Sequence, residues 1–165
     1  MAADLITADV QDWIMDGLLV GIKSIYTPGA DTNTPITDNT RKYYAKRGVI
    51  DWEQYQWDRK PYAACIIDTD FSMEDRAIGE DFYEVQMVSK IPYDQDSDSD
   101  EKVVHQIRKD CRYLLKFLRD RTRDGLPITV NISDARASKL YDPELEVQGY
   151  SLRFKVSYTL NAWRR

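Results

Sequence analysis

Between Gly149 and Asn161 apolar and polar residues alternate almost without fault. Tyr150, Leu152, Phe154, Val156, Tyr158 and Leu160 fall on one side; Ser151, Arg153, Lys155, Ser157, Thr159 and Asn161 fall on the other. A period of two held that far requires one long antiparallel strand with a buried face and a wet face. At ~3.3 Å per residue it spans roughly 40 Å, about twice the usual strand. A small domain rarely covers such a strand by itself, so the spacing predicts that part of it pairs with another chain. The expected contact is the β edge carrying Tyr150, Leu152, Phe154, Val156 and Tyr158.

The rest of the chain supplies two helices and three further strands. Val10, Trp13, Ile14, Gly17, Leu18, Gly21, Ile22 and Ile25 recur at three and four residues, which predicts a helix over 7–25 with one apolar stripe. Gly17 and Gly21 cost about 1 kcal/mol each against alanine in a helix. Both lie on the stripe, so another backbone is expected to approach there. Tyr62–Asp68 and Asp81–Ile91 read as an antiparallel pair joined by a roomy turn, the second closed by Pro92. Val103, Val104, Ile107, Cys111, Leu114, Leu115 and Leu118 define a second long helix over 99–123, acidic at its start and basic at its end, stopped by Gly125 and Pro127. A strand at 128–132, a less regular stretch and the long final strand follow. The class is α+β: an antiparallel or mixed sheet flanked by two long amphipathic helices, in the order α, arm, ββ, α, ββ. At 165 residues the chain fits a single domain able to bury its own core.

Residues 28–60 form the irregular part. A turn-rich polar stretch passes into KYYAKRGVIDWEQYQWDRK, where Tyr43, Tyr44, Trp52, Tyr55 and Trp57 stand among charges. A loop this long inside a domain is functional or disordered when alone. Rings interleaved with Lys and Arg either cap the domain's own core or anchor an interface. The composition favours an arm that docks on a partner.

Little in the chain points to catalysis. His105, the only histidine, lies off the core stripe of the second helix with no nucleophile or orienting carboxylate placed by sequence, and reads as a surface residue. Asp94, Asp96, Asp98 and Asp100 alternate like the first ligands of a calcium loop. The sixth and twelfth places, however, hold Ser99 and His105 rather than Gly and Glu, so the run is a solvated helix lead-in. Phosphate-binding, dinucleotide, zinc-protease, CxxC and nucleophile-elbow motifs are missing. The expectation is a protein that is not an enzyme, with no cofactor and no metal. Cys65 and Cys111 fall in apolar elements and are expected to be reduced and buried. The N-terminus carries acids and no basic n-region, and no apolar run approaches a membrane span, so synthesis in a cytoplasm and no membrane contact are expected.

Charge placement is more informative. Between Asp68 and Glu101 stand twelve acids and two bases; from Lys102 to Arg123 stand eight bases and two acids. Such a run is often just a solvated helix face. It also supplies the two unlike surfaces that a head-to-tail contact between copies requires, closing into a ring if the rotation permits. The residues expected at that contact are Arg108, Arg112, Lys116 and Arg119 on the basic helix, and Glu74, Asp75, Glu80 and Asp81 on the acidic side. A net charge of −5 argues against a dedicated nucleic-acid binder.

With its opening helix VQDWIMDGLLVGIKSI, the strands YAACIID and FYEVQMVSKI, the helix VVHQIRKDCRYLLKFLRD and the closing strand YSLRFKVSYTLN, the chain resembles the tail-terminator and tail-completion (neck) proteins of tailed bacteriophages. The likeness covers most of the chain apart from residues 28–60. It is one of size, element order and pattern. It implies a virion structural protein: a homo-oligomeric ring, a hexamer, that caps the tail tube, stops its growth and meets the head connector or adaptor while DNA passes through the lumen. Other phage structural roles, tail-tube subunit or head-tail adaptor, share these traits, and an acidic nucleic-acid-associated protein is the remaining alternative. The arm aromatics would then grip the adjoining ring.

Overall fold

Periodic apolar stripes place the elements where the sequence predicts them, with two additions. The computed structural model of the chain describes residues 7–25, 43–55, 57, 62–73, 78–91, 97–121 and 129–159. Its elements are helix α1 (Thr7–Ser24), strands β1 (Tyr43–Arg47), β2 (Tyr62–Met73) and β3 (Ile78–Lys90), helix α2 (Ser97–Arg121), and strands β4 (Thr129–Asp142) and β5 (Val147–Thr159). The fold is α+β. One five-stranded sheet has the spatial order β1-β2-β3-β5-β4. β1 runs parallel to β2 and every other pairing is antiparallel, so the sheet is mixed.

Both helices pack on the same face. Ile14, Leu18 and Ile22 of α1 and Ile107, Leu114 and Leu118 of α2 are buried against Ile66, Tyr83, Val85, Met87, Leu152 and Phe154 of the sheet. At Gly21 the helices come close. A Cβ there would lie 2.7 Å from Leu114 Cδ1 and 2.8 Å from Phe117 Cδ1. The stripe glycine thus admits side chains of α2, not the neighbouring backbone that the spacing predicts.

The strand with the clearest alternation is not where a free edge lies. β5 is an interior strand, paired with β3 along one side and with β4 along the other. Leu152, Phe154, Val156 and Tyr158 are buried under the helices, and Tyr150 packs partly against the same core. The expected intermolecular edge at Tyr150, Leu152, Phe154, Val156 and Tyr158 is therefore corrected. Both backbone rims of that strand are occupied within the chain, and its apolar side chains complete its own core. The reason lies in β4, which runs from Thr129 to Asp142 and takes in most of the stretch that reads as less regular. A β-bulge between Ser133 and Arg136 shifts its register, with Asp134 at φ 53°.

The arm adds the other new element. Tyr43–Arg47 lies beside the first half of β2, in register from Tyr43 with Tyr62 to Arg47 with Ile66. The chain then crosses to the reverse face of the sheet. There Ile50 and Trp52 bury themselves against Ala63, Cys65, Val88 and Val147, with Tyr55 and Trp57 packed around them.

Candidate functional site

The sheet has two edges, and each presents unpaired backbone among the described residues. β1 covers β2 only from Tyr62 to Ile66, so residues 67–73 form a bare edge on that side. Asp68 and Thr69 are exposed there, and Phe71 is 72% exposed. The Asp68 carboxylate accepts a hydrogen bond from Gln11 Nε2 at 2.7 Å. Across the sheet β4 is the edge strand. Fourteen residues at ~3.3 Å each give it a length of roughly 46 Å.

A groove of about 430 Å³ runs between α2 and β4. Tyr150, Leu152 and Cys111 form its floor, Leu115, Arg108 and Arg112 its helix wall, and Ala135 and Ala137 its strand wall. Two alanines at successive same-side positions leave the flank of α2 uncovered, and the arginines are exposed at its rim. Arg136 and Lys139 are also exposed on β4. The flank of α2 beside β4 is thus basic, although β4 itself balances Arg136 and Lys139 with Asp134 and Asp142, whereas the bare stretch of β2 holds two acids and no base.

The arm rings divide. Tyr43 points into the helix side, 4% exposed, where its hydroxyl donates to Asp110 Oδ2 at 2.8 Å. Burial first, then the Asp110 charge, raises the Tyr43 phenol well above its usual range. Trp52 is buried on the reverse face, its indole N–H donating to Gln86 Oε1 at 3.3 Å. Tyr55 and Trp57 meet edge to face at 4.6 Å, and Trp57 stacks on Trp52 at 5.8 Å. Burial, with a smaller contribution from Tyr44, pushes the Tyr55 phenol up to about 12. Tyr44 alone of the five is exposed, at 40%. The docking-arm expectation is corrected for Tyr43 and Trp52, which seal the chain's own core because the sheet has two apolar faces to cover. Of the five rings, Tyr44 and the outer surfaces of Tyr55 and Trp57 remain presented.

Arg108, Arg112, Lys116 and Arg119 are all exposed on α2. On the acidic side Glu74 and Asp75 lie outside the described residues. Glu80 is half-buried and its carboxylate stands 3.6 Å from Lys155 Nζ, which also meets Asp134 Oδ2 at 3.3 Å. Asp81 is corrected. It is 4% exposed, faces the helices, and can meet no second chain. Burial lifts its carboxyl above the ordinary range, the Tyr83 hydroxyl at 3.2 Å pulls it partly back, and Asp68 adds a smaller upward push. Its Oδ1 has no hydrogen-bond partner among the described residues.

Sequence reasoning missed Asp110, a buried acid on the core stripe of α2 that takes hydrogen bonds from Tyr43 and from Gln106 Nε2 at 3.2 Å. It also missed Phe71, Ala135 and Ala137. An isolated exposed ring and two alanines carry no period, and only their position at the sheet edges marks them. Cys65 and Cys111 are free and buried, in the reverse-face and helix-face clusters respectively. Burial, with the Asp110 charge, pushes the Cys111 thiol up to about 12. His105 is exposed. Among the described residues no group of three His, Cys, Asp or Glu side chains is placed to hold a metal ion, and no helix is long and apolar enough to cross a membrane. Comparison with known proteins finds no family model and no curated protein that matches the chain.

Proposed function

We propose that the chain is a virion structural protein of a tailed-phage neck, working in the virion and carrying out no catalysis. Copies form a homo-oligomeric ring, a hexamer in the family it resembles, that caps the tail tube and offers a second surface to the head connector or adaptor. DNA meets it only by passing through the lumen. The observation that carries this reading is the pair of unlike sheet edges. One chain bears an acidic bare half-strand on one side and, on the other, an edge strand flanked by the exposed arginines of α2, the requirement for a heterologous contact that repeats around a circle. The element order of the resemblance, with both helices on one sheet face, supports it further.

Native mass spectrometry of the purified chain, alone and with purified tail tubes, tests the proposal, with negative-stain microscopy of the same samples. Closed rings seated at tube ends are the expected result. A chain that remains a monomer in both conditions overturns it. Long open tubes built from this chain alone would instead make it a tube subunit. Salt-dependent retardation of DNA by the free chain would favour the nucleic-acid reading.

A further inference from the structure

We infer that the bare half of β2 in one copy adds to β4 of the next, with Phe71 of the incoming copy seated in the groove between α2 and β4. The inference rests on the ring reading and names the contact that builds it.

Strand direction permits the addition. β2, β3, β5 and β4 are joined by successive antiparallel pairings, so β2 and β4 of one sheet run in opposite directions. A second copy placed edge to edge, with the same sheet face toward its helices, brings its β2 antiparallel to β4. That geometry gives perpendicular inter-strand hydrogen bonds.

The faces match as well. Phe71 stands directly across from Asp81, which faces the helices, so Phe71 lies on the helix side of the sheet. The groove is on that side too, since its floor is Tyr150 and Leu152. Continuing the sheet therefore carries Phe71 over Ala135 and Ala137, where small side chains have left room. An exposed ring entering an apolar pocket ringed by charge is the usual form of an interface anchor.

Charge selects the partner. From Asp68 to Glu80 the sequence holds five acids and one base. They would meet Arg108 and Arg112 on the groove rim and Arg136 and Lys139 on the strand. A bulge and exposed bases are how an edge strand turns away indiscriminate pairing. An acidic strand is the one such an edge admits.

Cysteine pairing tests this directly. In a Cys111→Ala background, Phe71→Cys and Ala137→Cys are introduced together in one chain and also singly in two chains. Phe71 and Ala137 are exposed, Cys111→Ala is a small truncation in the core, and circular dichroism verifies that the fold is kept. On mild oxidation the double variant should give a ladder of disulfide-linked multimers ending at the ring size. An equal mixture of the two single variants should give only the mixed dimer. Separately, Arg112→Glu should raise the concentration for half-assembly by roughly tenfold or more. Rings that form without the Phe71–Ala137 link and tolerate Arg112→Glu overturn this contact and leave the ring itself standing. A chain that never associates overturns both.

Discussion

Along β5 the residues facing the helices, Leu152, Phe154, Val156 and Tyr158, are all buried, whereas their neighbours on the reverse face change character from one end to the other. Val147 is buried beneath the aromatic cluster of the arm. At Gly149 the strand comes so close to β3 that a Cβ would lie 2.8 Å from Val88 Cα, which only glycine allows. Ser151 then donates to the Glu84 carboxylate, and Arg153 reaches the same oxygen from both Nε and Nη2 at 3.3 Å, with its side chain 71% exposed. The helix face is a continuous dry core. The reverse face is dry under Trp52 and wet beyond it. One strand with one period thus serves three environments, and the cover laid over each stretch decides which. A face capped by a loop is cheaper to lose than a face sealed by two helices, and an open ion-pair ladder contributes least of all.

The largest effect should come from the helix face. Phe154→Ala removes a ring stacked on Tyr83 at 5.7 Å inside the core and should cost about 3–5 kcal/mol, read from urea denaturation. Trp52→Ala should cost less, about 2–3 kcal/mol, because the arm can settle over the gap. Equal losses at the two positions would erase the distinction between the faces.

Asp81→Asn probes the one acid that the helix face buries with an oxygen unpaired among the described residues. Its folded pKa is raised, so the folded chain favours the protonated carboxyl. That preference is fully present below the ordinary carboxylate value of about 3.9 and is lost as pH rises through the raised folded value. Asparagine keeps the neutral form, so the variant should melt a few degrees higher than the parent at pH 7 and at nearly the same temperature near pH 3. A variant that melts lower at pH 7 would show that the ionised carboxylate has a stabilising partner beyond the Tyr83 hydroxyl. Arg153→Ala on the open half of the reverse face should change stability least, by about 0.2–1 kcal/mol, and less again in high salt.

How much of this was legible follows from where burial leaves a periodic mark. The helices, β3 and β5 declare themselves by an apolar stripe or an alternating face, and β2 by a continuous apolar run that is buried on both faces. β4 did not, because Asp134 through Lys139 are exposed on both sides and so carry no alternation to read. β1 is five residues long and gains its partner from a strand that begins at Tyr62, a pairing no local pattern encodes. The basic half of the candidate site was readable as charge on α2. Its groove was not, since two alanines become a wall only when β4 lies beside α2.

Sequence alone settled the class, the order of the two helices with β2, β3 and β5, and the core-facing side of β3 and β5, because side-chain alternation and helical spacing are local properties of the backbone. Tertiary structure alone decided that the most regular strand sits inside the sheet, and that edge positions fall to β4 and to the distal half of β2. A strand's pattern reports whether its faces are wet, whereas its place in the sheet depends on backbone hydrogen bonds to segments far away in the chain, and those leave no trace in side-chain order.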